Sequence, residues 1–168
     1  PYLVIIDWGH EQRDYAAGHS ELAERLDDGA WQTMVEHIRA ICQIAWHDYG
    51  IRPVIHPHAG GYIEFADELA RLVEDIPDDV AGLCLDTGHL YYAGMDPAAA
   101  LRAYADRLDY IHFKDIDQGV FDDVMKQRIK FFDACARGVM CPIGRGVIDY
   151  PDLYRLIQTL GYEGYITV

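Results

Sequence analysis

Imidazole and carboxylate side chains follow three predicted strands of this sequence, at the points where the strands end. They lie in the segments His56–His58, Asp86–His89 and His112–Asp115. Carboxylate oxygens and imidazole nitrogens together form mixed sites for divalent cations, and such sites suit Mn²⁺, Co²⁺, Mg²⁺ or Zn²⁺. We therefore predict a metal site in which Asp86 and His112 are ligands.

Other side chains compete for a place in this predicted site. His56 and His58 are two residues apart, so in an extended segment both rings would face the same side of the chain. Glu64 follows them through the Ala59–Gly61 link, whose flexibility would let the carboxylate swing back as a further ligand. The competing interpretation makes Glu64 a solvated surface residue and His89 a structural histidine.

The elements that must position these side chains alternate regularly along the chain. Short apolar runs predict strands, whereas apolar residues at helical spacing predict helices. The predicted strands are Tyr2–Ile6, Ile51–His58, Ala81–Leu85, Tyr110–Phe113 and Tyr165–Val168. The predicted helices are Trp31–Tyr49, Asp67–Ile76, one that begins at Asp96-Pro97 and runs through Leu108, one that begins at Asp149-Tyr150-Pro151, and part of Gln118–Gly138.

This alternation is typical of parallel βαβ units, so we predict an α/β fold. A (β/α)8 barrel has its active site at the C-terminal ends of its strands, which is where the polar segments fall. A complete barrel needs roughly 200 residues or more, and five strands would leave it open. We therefore expect residues 1–168 to form a single domain, the C-terminal part of a barrel that lacks about three βα units at its front. A complete small protein with an open sheet is the alternative.

The charge balance of the chain disfavours several classes of partner. The 168 residues include 14 Lys and Arg but 28 Asp and Glu, which gives a net charge of −14. Such a chain would repel nucleic-acid phosphates and anionic lipid, so we expect no nucleic-acid or membrane partner. Four cysteines without a CxxC pair indicate free thiols, which are typical of a cytoplasmic protein. A homo-oligomer is compatible with the sequence.

Several longer motifs resemble one known family. The motifs are His56–Glu64, Leu83–Leu90, His112–Asp115, Phe131–Ala134, Pro142–Tyr150 and Gly161–Tyr165, which together span most of residues 51–168. They resemble the inosose dehydratase family. The Asp-Thr-Gly-His and His-x-Lys-Asp motifs are shared with the wider superfamily of xylose-isomerase-like sugar isomerases and epimerases, whereas His-Pro-His-Ala-Gly is more specific to the dehydratase branch.

The resemblance implies a (β/α)8 TIM barrel of xylose-isomerase-like type with one divalent metal, Mn²⁺ or Co²⁺, at its C-terminal face. Asp86 matches the aspartate and His112 the histidine of the family's metal ligands. His56 stands where many relatives have a first glutamate ligand, and we take Glu64 as its substitute. A last glutamate ligand is expected immediately after Val168.

The implied reaction is the elimination of water from a 2-keto-inositol, or inosose, through an enediolate, as a lyase of inositol catabolism. Two histidines, His58 and His89, are expected to be catalytic, since an imidazole can act as acid or base near neutral pH. Contacts to the cyclic polyol or ketose substrate are expected from His56, His89 and Lys114.

Three other functions are compatible with the same residues. A ketose 3-epimerase would use the same metal and enediolate but return the proton to the opposite face. A related dehydratase could act on dehydroshikimate. A non-catalytic sugar-binding member of the superfamily would have lost metal ligands. Product analysis separates these alternatives, because the outcome depends on where the acid lies.

Overall fold

The computed structural model describes residues 1–168, which form seven strands with helices between most of them. The strands are β1 (Tyr2–Ile5), β2 (Arg52–Ile55), β3 (Gly82–Asp86), β4 (Leu108–His112), β5 (Asp115–Ile116), β6 (Met140–Cys141) and β7 (Tyr165–Thr167). Five of them form one sheet in the order β1-β2-β3-β4-β7, and every pair in it is parallel. The remaining two, β5 and β6, form a short antiparallel pair. The parallel sheet confirms the predicted α/β class.

Eight α-helices accompany the strands. They are α1 (Glu11–Tyr15), α2 (Asp28–Gln43), α3 (Ala66–Asp75), α4 (Thr87–Tyr92), α5 (Pro97–Ala103), α6 (Gln118–Gln127), α7 (Phe131–Ala136) and α8 (Tyr150–Thr159). A π-helical segment, Ile44–Asp48, continues α2, and a 3₁₀ turn, Ala105–Arg107, follows α5. No helix combines the length and the apolar character that crossing a membrane would require.

The predicted elements are confirmed with two corrections. Leu108 was predicted at the end of a helix, but α5 ends at Ala103 and Leu108 begins β4. The Arg107 guanidinium explains this ending, because it donates hydrogen bonds to the carbonyls of Ile76 and Ala81 at 2.8 and 2.9 Å and so ties the turn to the loop before β3. The second predicted strand is also shorter, since β2 ends at Ile55 and leaves His58 in a loop.

Four short elements have no counterpart in the sequence prediction. They are α1, α4, β5 and β6, and none of them is longer than six residues. Helices this short have too few turns to show a periodic apolar face, and a two-residue strand shows no alternation at all.

The parallel sheet curls strongly, as the contacts between its two edges show. The Tyr2 ring on β1 lies 5.9 Å from the Tyr165 ring on β7, although three strands separate them in the sheet. The Tyr110 ring on β4 contacts both, at 5.6 and 6.3 Å between ring centroids. The sheet therefore has a concave face, as the wall of a barrel has.

Strand alternation divides the residues of β3 between the two faces of the sheet. Leu83 and Leu85 are fully buried and join the main apolar core, which packs the sheet against the helices. Cys84 and Asp86 point to the opposite side, where their partners on β4 are Tyr110 and His112. The concave face thus receives the polar side chains at its C-terminal edge.

An irregularity in β4 sets this pairing. Leu83 pairs with Leu108, but the next residue, Cys84, pairs with Tyr110, so Asp109 is an extra residue in β4. The Asp109 carboxylate turns away to accept a hydrogen bond from Arg52 Nε at 2.7 Å. Gly82 leaves the room for it, because a Cβ there would lie 1.9 Å from Asp109 Oδ2. Without this bulge Asp86 would pair with Ile111.

Candidate functional site

Asp86 lies at the junction of β3 and α4, which begins at the next residue. Its Oδ1 accepts hydrogen bonds from the backbone N–H groups of Gly88 and His89 at 2.9 and 3.1 Å. This is an N-cap, which satisfies two donors of the first turn of the helix. The cap fixes the carboxylate so that its second oxygen, Oδ2, faces the concave side of the sheet.

Three nitrogen atoms surround Asp86 Oδ2. His112 Nδ1 is 3.6 Å away, His56 Nε2 is 3.7 Å away, and the Lys114 ammonium is 2.7 Å away. Burial opposes ionisation of the carboxyl, but His112 and His56, followed by His89 and Lys114, outweigh it and hold the pKa of Asp86 well below its ordinary value. The structure therefore brings together two of the predicted metal ligands, Asp86 and His112, and adds His56 to them.

The His56 ring is oriented by its own neighbour. Its Nδ1 lies 2.7 Å from the Pro57 carbonyl, which can only accept, so Nδ1 carries the proton. A ring without a proton on Nε2 would present that lone pair beside Asp86, and this is the form of histidine that binds a metal. The carboxylate of Asp86 and the two rings thus fit a divalent cation by donor type.

His89 also lies near Asp86, but in its neutral ring the proton is on Nε2, whereas in His56 a proton is on Nδ1. One ligand atom from each of His56, Asp86 and His89 lies within 4.8 Å of the others. However, the Ala59 N–H donates to His89 Nδ1 at 3.1 Å, so the proton of the neutral ring is on Nε2. That nitrogen is 3.3 Å from Lys114 Nζ, which as an ammonium can also only donate, so in this tautomer no hydrogen bond joins the two and the Nε2–H is left for another acceptor. This tautomer suits a hydrogen bond to substrate rather than metal ligation.

His58 packs against His89, with 4.0 Å between the ring centroids. Its Nδ1–H donates to the Ala59 carbonyl at 2.9 Å, which leaves the lone pair of Nε2 free. Burial, followed by the nearby charges of His56 and Lys114, lowers the pKa of His58 to about 4. Burial likewise lowers the pKa of His89, which is well below its ordinary value. Both rings are therefore neutral near pH 7.

Glu64, the remaining predicted ligand, is not among these residues. Its oxygens accept hydrogen bonds from Gly18 and Gly60, and its ion-pair partner is Arg13 at 3.6 Å rather than any histidine. Burial raises the pKa of Glu64 to about 7, although the two N–H groups and Arg13 oppose the rise. The predicted flexible link does not swing this carboxylate to Asp86, because the backbone of the link itself binds it.

Aromatic side chains border His58 and His89, the two inner histidines of the site. The sequence analysis did not predict a role for these aromatic residues. The Phe131 ring is 5.3 Å from His58 and 5.2 Å from His89, and Phe132 stacks on Trp8 at 6.0 Å. These residues lie far apart in the sequence, so no local spacing could have indicated their contact. They give the site an apolar wall, as is usual where small molecules bind.

Asp115 has a structural role next to the site. Its buried carboxylate accepts hydrogen bonds from the N–H groups of Gly144, Gly146 and Ile148 at 2.9, 2.9 and 3.0 Å. It thereby holds the loop that connects β6 to α8. Gly146 is required there, since a Cβ would lie 2.3 Å from Asp115 Oδ1.

Comparisons of the whole chain with known proteins agree on one family. Residues 4–168 match the family described as xylose isomerase-like TIM barrel. The chain is 34% identical to inosose dehydratase of Geobacillus kaustophilus (strain HTA426) over 169 residues, which is 99% of this chain and 54% of that protein. The chain thus spans about half the length of this curated relative.

Two solved structures have a similar fold. The probable 3-DHS dehydratase AsbF from Bacillus anthracis matches with a TM-score of 0.72 at 15% identity, over 98% of this chain and 56% of that one. The IOLI protein, solved with a binding zinc atom, matches with a TM-score of 0.69 at 17% identity, over 99% of this chain and 52% of that one. With the curled parallel sheet and the family match over nearly its whole length, this chain belongs to the xylose isomerase-like TIM barrel family.

Proposed function

We propose that this chain carries the metal site and the catalytic histidines of a lyase that eliminates water from inosose. One observation carries the proposal. Asp86 Oδ2, His56 Nε2 and His112 Nδ1 converge at the C-terminal edge of a barrel-type sheet, at 3.6 to 3.7 Å from the carboxylate. Similarity to inosose dehydratases along 99% of the chain supports the choice of substrate.

Asp86, His56 and His112 are the residues that would hold the metal. A divalent cation there would polarise the ketone of the substrate and stabilise the negative charge that develops on its oxygen. We propose Mn²⁺ or Co²⁺, since nitrogen and oxygen donors together suit these ions, and Zn²⁺ or Mg²⁺ are the alternatives. Glu64 is left out of the proposed ligand set because two backbone N–H groups occupy its oxygens.

The tautomers of the two inner histidines assign their roles. His58 presents the lone pair of Nε2, so it would accept the proton from the carbon next to the ketone. The same proton would then pass to the hydroxyl group on the following carbon. The C–O bond breaks, water leaves, and a double bond forms between the two carbons, so the atoms balance.

His89 and Lys114 would orient the substrate during this step. His89 presents Nε2–H as a donor, which suits a hydrogen bond to a substrate oxygen. The Lys114 ammonium adds a positive charge beside it, 3.3 Å from the same nitrogen. Neutral imidazole donors of this kind stabilise developing negative charge on oxygen in other enzymes.

The remaining parts of the proposal concern context. We propose that residues 1–168 act as one domain, the C-terminal part of a (β/α)8 barrel, because their parallel sheet is curled but open. We place the protein in the cytoplasm, where its four free cysteines would stay reduced. A small polyol or ketose is the proposed partner, and the acidic surface argues against nucleic acid.

The test is turnover of inosose by the purified protein, with Mn²⁺, Co²⁺, Zn²⁺ or Mg²⁺ supplied one at a time. We expect the ultraviolet absorbance of the dione product to rise with at least one metal and to stay flat with a chelator. Parallel reactions contain a ketohexose and dehydroshikimate. An epimerised ketohexose without dione would favour a 3-epimerase, and sugar binding without any product would favour a non-catalytic member.

A further inference from the structure

The buried Glu64 carboxylate connects two segments that lie far apart in the sequence. Its Oε1 accepts a hydrogen bond from Gly18 N–H at 2.7 Å, and its Oε2 accepts one from Gly60 N–H at 2.9 Å. Gly18 precedes α2, whereas Gly60 lies in the loop that follows β2. Both hydrogen bonds go to a charged or chargeable acceptor in a buried setting, where such bonds are strongest.

The loop that Glu64 binds is the one that orients both inner histidines. Ala59, the residue before Gly60, accepts the His58 Nδ1–H through its carbonyl at 2.9 Å. Its own N–H donates to His89 Nδ1 at 3.1 Å. The two peptide groups that flank Ala59 therefore determine which nitrogen of each ring carries the proton.

Glu64 is itself held in place from the other side. Arg13 is fully buried and lies 3.6 Å from Glu64 Oε2 while it makes two hydrogen bonds to Glu68, at 2.8 and 3.0 Å. Glu68 in turn accepts the backbone N–H of Glu64 at 2.9 Å. Both the backbone and the side chain of Glu64 are thus anchored, so the carboxylate can act as a fixed point for the loop.

The conformation of Gly60 shows why the loop needs such an anchor. Its φ is +83°, in the left-handed region, and its neighbour Gly61 is also a glycine. Two adjacent glycines give the backbone many alternative conformations. A hydrogen bond to a buried carboxylate selects one of them.

We infer that Glu64 is a positioning residue, which sets the ring orientation and the proton location of His58 and His89 through the Ala59–Gly60 backbone. The catalytic consequence rests on the function proposed above, but the effect on the rings does not. Glu64 touches neither ring, so its influence passes through the peptide groups that flank Ala59.

Glu64→Gln tests this inference, with Glu74→Gln as the control. In glutamine an NH2 group replaces one of the two oxygens, and this group cannot accept the N–H that the oxygen accepts. Glu74 lies exposed on α3, the helix that begins two residues after Glu64, and its substitution changes the net charge by the same amount. The readout is the ring ¹⁵N signals of His58 and His89 in metal-free protein, measured by NMR, which distinguish the two tautomers.

We expect the wild type and Glu74→Gln to show His58 protonated at Nδ1 and His89 at Nε2. In Glu64→Gln at least one ring should become a mixture of tautomers. Unchanged signals from both rings in a folded Glu64→Gln protein would overturn the inference.

Two further measurements keep the test decisive. If Glu64→Gln does not fold, amide hydrogen exchange of the wild type is measured instead. We expect the N–H groups of Gly60 and Gly18 to be protected from exchange. Rapid exchange at Gly60 would overturn the inference. In an active protein, Glu64→Gln should lower kcat by about tenfold to a hundredfold with KM changed much less, because the misplaced groups act on the chemical step. Absence of turnover in the wild type would count against the proposed function, whereas the NMR result would stand.

Discussion

His112 Nδ1 lies 3.6 Å from Asp86 Oδ2 because the two residues are direct partners on adjacent parallel strands. The extra residue Asp109 makes them partners, since the register before the bulge would place Ile111 beside Asp86. The candidate metal site therefore depends on a bulge near the opposite end of the same strand pair.

Asp86→Asn should weaken metal binding by at least about a hundredfold while the protein stays folded. The asparagine side chain lacks the negative charge that neutralises a bound cation. Because asparagine is also a good N-cap residue, α4 should persist. Metal affinity by calorimetric titration and helix content by circular dichroism check both parts. The matched control is Asp96→Asn, which changes the cap of α5, where Oδ1 accepts Ala99 N–H at 2.7 Å. Equal metal affinity in the two variants would remove Asp86 from the ligand set.

Lys114→Gln should raise metal affinity, by about threefold to tenfold. The Lys114 ammonium lies 2.7 Å from Asp86 Oδ2, so it competes with a cation for that oxygen. The same variant should raise KM for inosose if Lys114 contacts the substrate. Metal titration and steady-state kinetics give the two answers, with the exposed Lys126→Gln as control. A fall in metal affinity would show that Lys114 supports the site rather than competes for it.

Gly82→Ala should destabilise the protein by about 1–3 kcal/mol, because the new methyl group would overlap the Asp109 carboxylate. Asp109 would have to rotate and give up its hydrogen bond to Arg52. Urea unfolding measures the loss of free energy. Gly29→Ala is the control, since a Cβ there meets only Asp27 Oδ1 at 3.5 Å and alanine favours the helix. If Gly82→Ala were as stable as the wild type, the bulge would not depend on the missing side chain.

Glu64 should make the protein less stable as the pH rises through its titration range. Its pKa is about 7 in the folded protein and 4.5 as the ordinary value, so the folded state binds the proton more tightly than the unfolded state. The contribution of Glu64 to the free energy of unfolding should therefore be largest below pH 4.5. It should fall by roughly 3 kcal/mol at most as the pH rises to 7. Arg13 and Glu68 face the same carboxyl, and Arg13 lowers its pKa whereas Glu68 raises it.

The measurement is the difference in unfolding free energy between the wild type and Glu64→Gln at several pH values. Other titrating groups, including Asp86, contribute equally to both proteins and cancel. We expect the wild type to lose stability relative to the variant between pH 4.5 and 7. A difference that is constant over this range, or that changes in the opposite direction, would contradict the raised pKa.

The sequence by itself determined the class of fold and the end of the sheet that carries the chemistry. Apolar runs and helical spacing are local patterns, because each element must bury its own face, and so all five strands of the sheet could be predicted. Asp86, His89 and His112 follow or end their strands, and parallel strands bring those ends to one edge. Their proximity was therefore predictable from spacing and direction alone.

Only the tertiary structure decided which groups touch Asp86 and which do not. The bulge at Asp109 sets the register of His112, and no local pattern marks it, because it depends on Gly82 and Arg52 from two other strands. Glu64 was predicted to reach the metal, but its oxygens are bound by Gly18 and Gly60. The orientation of the His89 ring likewise follows from the hydrogen bond that the Ala59 N–H donates to it from another loop. Hydrogen bonds between distant segments form only once the chain has folded, so sequence spacing carries no record of them.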